Sequence, residues 1–126
     1  MMNFLRSMLA GSSPDFDATE AAAAIDAGAP VVDVREPDEF AHAAIPGAVN
    51  VPLGRIQIHG VEALRNAGIN VDAPVIVLAC RSGARSGNAC AVLRDALGGR
   101  GRNLSGGVLA WNSRGLPLTP GGRSNA

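Results

Sequence analysis

The sequence predicts an α/β domain built on a mostly parallel sheet with helices on both faces, and three observations predict it. Short β-branched or apolar runs alternate along the chain with stretches of helical period. One of these runs, Val75-Ile76-Val77-Leu78-Ala79, is apolar at consecutive positions, as a strand covered on both faces must be. The chain is 126 residues long and 47% hydrophobic, which makes one domain with enough apolar side chains for a core.

Taken in order, residues 1–13 read as an N-terminal arm, 14–119 as the domain and 120–126 as a flexible tail. Asp17 or Thr19 can cap a helix running through Glu20 to Ile25, ended by Gly28 as a left-handed residue. Val31 to Val34 is a short β-branched strand. Pro37 stands in the first turn of a helix reaching about Ala43. Ile45-Pro46-Gly47 is a turn, and Ala48 to Val51 a second short strand stopped by Pro52. Leu53 to Gly68 reads as one helical stretch with Ile56, Val61, Leu64 and Ala67 on a stripe. The Val75 to Ala79 strand leads into the loop at Cys80. A helix follows from about Arg85 to Leu97, with Ala89, Cys90, Leu93, Ala96 and Leu97 at core spacing, ended by Gly98-Gly99. Asn103-Leu104-Ser105 is a weak strand, Gly106-Gly107 a tight turn, and Val108 to Ser113 a last helix with Trp111 in the core.

Composition removes several classes of function. Eleven Arg and no Lys balance eleven Asp plus Glu, so the chain lacks the positive field of a nucleic-acid binder or a polybasic membrane ligand. Aromatic residues are 3% of the chain, too few for a base-stacking platform. Two cysteines make no disulfide framework, and Cys80, Cys90, His42 and His59 show no paired metal-ligand spacing. No metal and no cofactor are expected. The first ten residues, MMNFLRSMLA, are interrupted by Arg6 and Ser7 and form no secretory apolar run, and no window of the chain is long enough to span a membrane. The expected location is cytoplasmic, and the expected state a monomer or weak homodimer.

The chemistry concentrates in Cys80-Arg81-Ser82-Gly83-Ala84-Arg85-Ser86. This segment joins a buried strand to a helix N-terminus, at the carboxyl end of the sheet where open α/β folds bind ligands. Amides there lack helical partners and can converge on an anion. Gly83 can take positive φ, which turns successive N–H groups inward. With Arg81 and Arg85 nearby, such a cradle lowers a thiol pKa from about 8.5 by one or more units. Cys90 lies on the apolar stripe of the next helix and reads as packing, with a resolving cysteine as the other reading. His42 and His59 read as surface or packing residues.

Together these segments resemble the rhodanese family. The first signature is Val32-Asp33-Val34-Arg35, Glu39-Phe40 and Ile45-Pro46-Gly47-Ala48-Val49-Asn50-Val51-Pro52. Cys80 to Ser86 resembles the active-site loop, and Gly106-Gly107, Trp111 and Gly115-Leu116-Pro117 the closing signature. The chain departs from the pattern at Ala43-Ala44, where family members often carry Gly-His, with its histidine at His42 instead. The resemblance implies a five-stranded parallel sheet between helices and a sulfurtransferase that works through a Cys80 persulfide. Its partners would be a small sulfur donor such as thiosulfate and a thiophilic acceptor, cyanide or a thiol. Arg81, Ser82, Gly83, Ala84, Arg85 and Ser86 would bind the donor. Asp33, Arg35 and Glu39 would hold the loop and neighbouring strands through ion pairs, Arg85 among the possible partners, with substrate contact the other role open to Asp33 and Arg35.

Three other readings compete. A related cysteine phosphatase or arsenate reductase needs one more residue between cysteine and arginine, and Ser86 stands where that arginine would fall. A non-catalytic binding module would keep the fold without using the thiol. A sulfur carrier for a dedicated partner would share the chemistry and differ in acceptor.

Overall fold

A computed structural model of the chain describes residues 15–122. Its strands are β1 (Asp15–Phe16), β2 (Val31–Asp33), β3 (Val49–Asn50), β4 (Ile76–Ala79) and β5 (Gly101–Leu104), in one sheet ordered β1-β5-β4-β2-β3. All neighbouring strands are parallel, with Val31 opposite Val77, Leu78 opposite Asn103 and Asp15 opposite Asn103. The expected five-stranded parallel architecture is therefore the one adopted.

Alternation along the central strands explains the two layers of helices. Val32, Ile76 and Leu78 point to one face, where Ile56, Leu64, Leu93 and Leu97 complete a core. Those residues come from α3 (Leu53–His59), α4 (Val61–Asn66) and α5 (Ala84–Leu97). Val31, Val77, Ala79 and Leu104 point to the other face, against Ala18, Ala21 and Trp111 of α1 (Ala18–Asp26) and α6 (Gly107–Ser113). Side chains as fully buried as Leu78 and Leu93 each contribute about 1.5–3 kcal/mol. α2 (Pro37–His42) sits beyond the end of β2 and buries Phe40.

Local chemistry sets the boundaries. Asp17 caps α1 through a reciprocal pair of bonds with Glu20, 2.8 and 3.0 Å long. Gly28, at φ 105°, takes the chain out of α1. The single helix expected over Leu53 to Gly68 is two, because Gly60 adopts φ 60° and ψ −140°, a conformation that no helix can carry. Ile56 and Leu64 still face one core, while Val61 and Ala67 pack on it half-buried. Ala96, expected in the core, is exposed: the covered side of the helix runs along Ser86, Ala89, Cys90, Leu93 and Leu97. β1 was not foreseen, and neither was the antiparallel bridge between Ala44 and Thr119. The described part of the 120–126 segment is anchored, since the Gly121 amide donates to the carbonyls of Phe40 and Ala41. The N-terminal arm lies outside the described residues. Among the described residues no helix is long and apolar enough to cross a membrane.

Candidate active site

Cys80 follows β4 directly and is 1% exposed. The loop after it is held from below by the start of α6. The Val108 amide donates to the Cys80 carbonyl at 2.8 Å, and the Leu109 amide to the Arg81 carbonyl at 3.2 Å. In a trans peptide the C=O and the following N–H point in opposite directions. Tying the Arg81 carbonyl to α6 therefore aims the Ser82 N–H the other way, toward the sulfur. The approach needs glycine at position 107: φ is 63°, and a Cβ would lie 2.4 Å from the Arg81 carbonyl carbon and oxygen. The Gly83 amide lies 3.0 Å from Cys80 Sγ, and φ 104° at the same residue turns the chain that follows into the first turn of α5.

Hydrogen-bond donors thus converge on one sulfur atom. They are the Ser86 hydroxyl, 3.3 Å away, and the amides of Ser86, Gly83 and Ser82. Burial disfavours the thiolate, but these donors outweigh burial, and the Cys80 pKa falls below the ordinary thiol value. Cys90 has burial without such donors, and the negative charge of Asp15 adds to it, so its pKa is pushed up to about 12. The two cysteines of one helix-and-loop unit are chemically opposite. Both are free thiols.

Arg85, expected among the donor-binding residues, turns its guanidinium to Glu39 on α2, with bonds of 2.7 and 2.9 Å to the two carboxylate oxygens. This hydrogen-bonded contact, against some burial, takes the Glu39 pKa from 4.5 to about 2 and raises that of Arg85. Asp33 and Arg35 stay behind the site. Arg35 Nε and Nη2 grip the Asp33 carboxylate, and Nη2 also donates to the Ala43 carbonyl at the end of α2. Both residues are buried, Asp33 at 1% and Arg35 at 6% exposure, so neither reaches the mouth of the loop. Arg81, Ser82 and Ala84 are exposed around that mouth.

Two asparagines of the site carry no signal in sequence. Asn50 donates from Nδ2 to the carbonyls of Asp33 and Arg35, fastening β3 to the end of β2. Asn103 of β5 lies under the loop, bonded to Ser86, Gly83 and Asp15. Asn50 falls within the motif from Ile45 to Pro52, and Asn103 within a strand that the sequence predicts, but nothing in residue type or spacing gives either its role. His42 and His59 are exposed. Among the described residues no cluster of three or more His, Cys, Asp or Glu could hold a metal ion.

Known proteins share sequence and fold with this chain. A family model described as Rhodanese-like domain matches residues 17–114. A sulfurtransferase of Allochromatium vinosum is 43% identical over 88 residues, which cover 70% of this chain and 76% of that protein. Thiosulfate sulfurtransferase 18 of Arabidopsis thaliana is 34% identical over 114 residues, covering 81% of this chain and 80% of the relative. The crystal structure of a rhodanese-related protein from Thermoplasma volcanium superposes with a TM-score of 0.69 at 26% identity, covering 83% of this chain and 96% of the other.

Proposed function

The chain belongs to the rhodanese-like domain family, and from that premise we propose that it is a sulfurtransferase moving a sulfane sulfur from thiosulfate or a similar donor to a thiophilic acceptor through Cys80. The observation that carries the proposal is the convergence of the Ser82, Gly83 and Ser86 donors on Cys80 Sγ at the carboxyl end of β4. A thiolate held this way attacks the outer sulfur of thiosulfate. The Sγ–S bond forms as the bond to the sulfonate sulfur breaks, and the electron pair leaves with sulfite. The persulfide's terminal sulfur carries the negative charge one bond further out, in reach of amides already fixed in place, so no reorganisation is needed to stabilise it. A thiolate or cyanide then takes that sulfur and the Sγ–S pair returns to Cys80. An ionised thiol needs no separate base.

Donor attraction falls to Arg81, exposed at the mouth, because the Arg85 charge is already balanced by Glu39. Arg85 and Glu39 instead brace the first turn of α5 against α2. A phosphatase reading finds no support: Ser86 occupies the position at which a longer loop would present its arginine, and it is buried beneath the sulfur.

Mass spectrometry after incubation with thiosulfate tests the proposal. One added sulfur atom on the peptide containing Cys80, discharged as thiocyanate on adding cyanide and absent from Cys80→Ser, is the expected result. An unmodified Cys80 across several sulfane donors, with hydrolysis of an aryl phosphate instead, would overturn it.

A further inference from the structure

Below the sulfur, the Ser86 hydroxyl lies between two acceptors. It is 2.5 Å from Asn103 Oδ1 and 3.3 Å from Cys80 Sγ, and it has one hydrogen to give. The orientation of the Asn103 amide is not free. Its Nδ2 is 3.1 Å from the Gly83 carbonyl and 3.1 Å from the Asp15 carboxylate, and both of these only accept. The NH2 group must face them, which fixes Oδ1 toward Ser86 as an acceptor. We propose that Asn103 is a positioning residue that competes with the Cys80 sulfur for the Ser86 hydrogen, so that the hydroxyl rotates between the two as the charge on Cys80 changes.

Each state of the sulfur has its own arrangement. In the thiol, the S–H donates to Ser86 Oγ and the Ser86 hydrogen goes to Asn103. In the thiolate, Sγ is the stronger acceptor and draws the hydrogen away, at the cost of the Asn103 bond. In a persulfide, a state that rests on the function proposed above, Sγ is a neutral divalent sulfur and a weak acceptor. The hydrogen then returns to Asn103. No proton is transferred in any of these steps; the hydroxyl turns about its Cβ–Oγ bond. Asn103 thus withholds part of the stabilisation that the loop could give the thiolate. Since thiolate nucleophilicity falls as thiol pKa falls, this keeps Cys80 reactive as well as ionised.

The charged groups facing this relay are Asp15 on β1 at Nδ2 of Asn103, and Arg85 on α5 with Glu39 from α2, while Arg102, next to Asn103 on β5, carries its guanidinium over the Phe16 ring. The Asp33 charge of β2 acts on Arg85 from behind. A test must separate the hydrogen relay from these charges and from simple loop damage. The pH dependence of Cys80 alkylation by iodoacetamide does so in four proteins: wild type, Asn103→Leu, Ser86→Ala and the double variant. Asn103→Leu keeps the branched four-atom skeleton of the side chain and removes the acceptor. The expected result is a Cys80 half-point at a threefold or greater higher proton concentration, and no such shift when Ser86 is already alanine. A disordered loop or a drier site would move the half-point the opposite way.

If Asn103→Leu does not fold, the wild type supplies the second test. The Asn103 side-chain amide resonances should titrate with Cys80, and should cease to do so in Ser86→Ala. The proposal is overturned by an unchanged or raised half-point in Asn103→Leu, by an equal shift with and without Ser86, or by Asn103 resonances blind to Cys80. Both readouts follow the thiol itself, so failure of sulfur loading from thiosulfate would count against the function proposed above and leave this relay standing.

Discussion

At the scale of single residues, one atom's surroundings separate two thiols in the same short segment. Cys80 and Cys90 are both buried, at 1% and 6% exposure, so accessibility alone does not distinguish them. Donors do: Cys80 has three amides and a hydroxyl, and its pKa is lowered, whereas Cys90 is pushed up to about 12. At neutral pH a limiting amount of iodoacetamide should label Cys80 and leave Cys90 unlabelled, as peptide mapping would show. Cys90→Ser should keep sulfur transfer within about twofold, while Cys80→Ser abolishes it; comparable loss in a folded Cys90→Ser protein would reverse the assignment. Arg81 offers a separable test. As an exposed cation whose side chain makes no ion pair or hydrogen bond among the described residues, it should act on donor binding, so Arg81→Ala should raise the KM for thiosulfate several-fold with little change in kcat, and equal effects on both would place it in the transition state. Cys80 was legible in the sequence because glycine, serine and arginine after an apolar strand are poor company for an inert thiol. Asn103 was not, because its role depends on which strand lies beside β4, and residue type does not say.

At the scale of elements, the site is the meeting of β4, α5 and α6, and the loop between the first two takes its shape from the third. Val108 and Leu109 at the start of α6 hold the loop carbonyls down, and Gly107 permits the approach. Gly107→Ala places a Cβ 2.4 Å from the Arg81 carbonyl and forces a non-glycine residue to φ 63°. The backbone conformation alone costs about 1–3 kcal/mol, and the overlap must push α6 and the loop apart. The expected outcome is a lower Tm, a raised Cys80 pKa as the Ser82 amide loses its aim, and transfer reduced at least tenfold. A variant that loses stability but keeps the wild-type alkylation profile would show that α6 supports the fold without shaping the loop. The sequence marks Gly106-Gly107 as a turn, and its function as a spacer under the loop emerges only when the two segments meet. β1 escaped notice for a simpler reason: Asp15–Phe16 is too short to show a period, and its pairing with β5 is made across most of the chain. The break at Gly60 was equally hidden, since Val61 and Leu64 keep the apolar stripe going through it.

At the scale of the whole molecule, segments distant in sequence are locked to the loop through α2. Arg35 holds Asp33 and the Ala43 carbonyl, Asn50 holds the backbone of both Asp33 and Arg35, and Glu39 on the same short helix reaches across to Arg85. The alternation of strands and helices made the fold class legible, and the strand order β1-β5-β4-β2-β3 puts the carboxyl ends of β2 and β4 side by side, so that α2 and α5 emerge as neighbours. The order itself follows from packing and not from any local pattern. Glu39→Gln tests this frame through pH. The Glu39 pKa is about 2 in the folded protein and 4.5 ordinarily, so folding favours its ionised form. The resulting stability is fully present above about 4.5 and is lost as pH falls through about 2; Arg85 is charged throughout. Because both side chains are about one-third exposed, at 31% and 36%, solvent screening leaves the pair worth about 0.5–1 kcal/mol. Glu39→Gln should therefore lower Tm by a few degrees at pH 7. The gap to wild type should narrow below about 4.5 and close near 2. A gap that stays constant over that range would mean that the glutamate acts through packing or through its bond from the Glu36 amide, 3.1 Å long, rather than through its charge, and the brace between α2 and the Cys80 loop would have to be assigned to Arg35 and Asn50 alone.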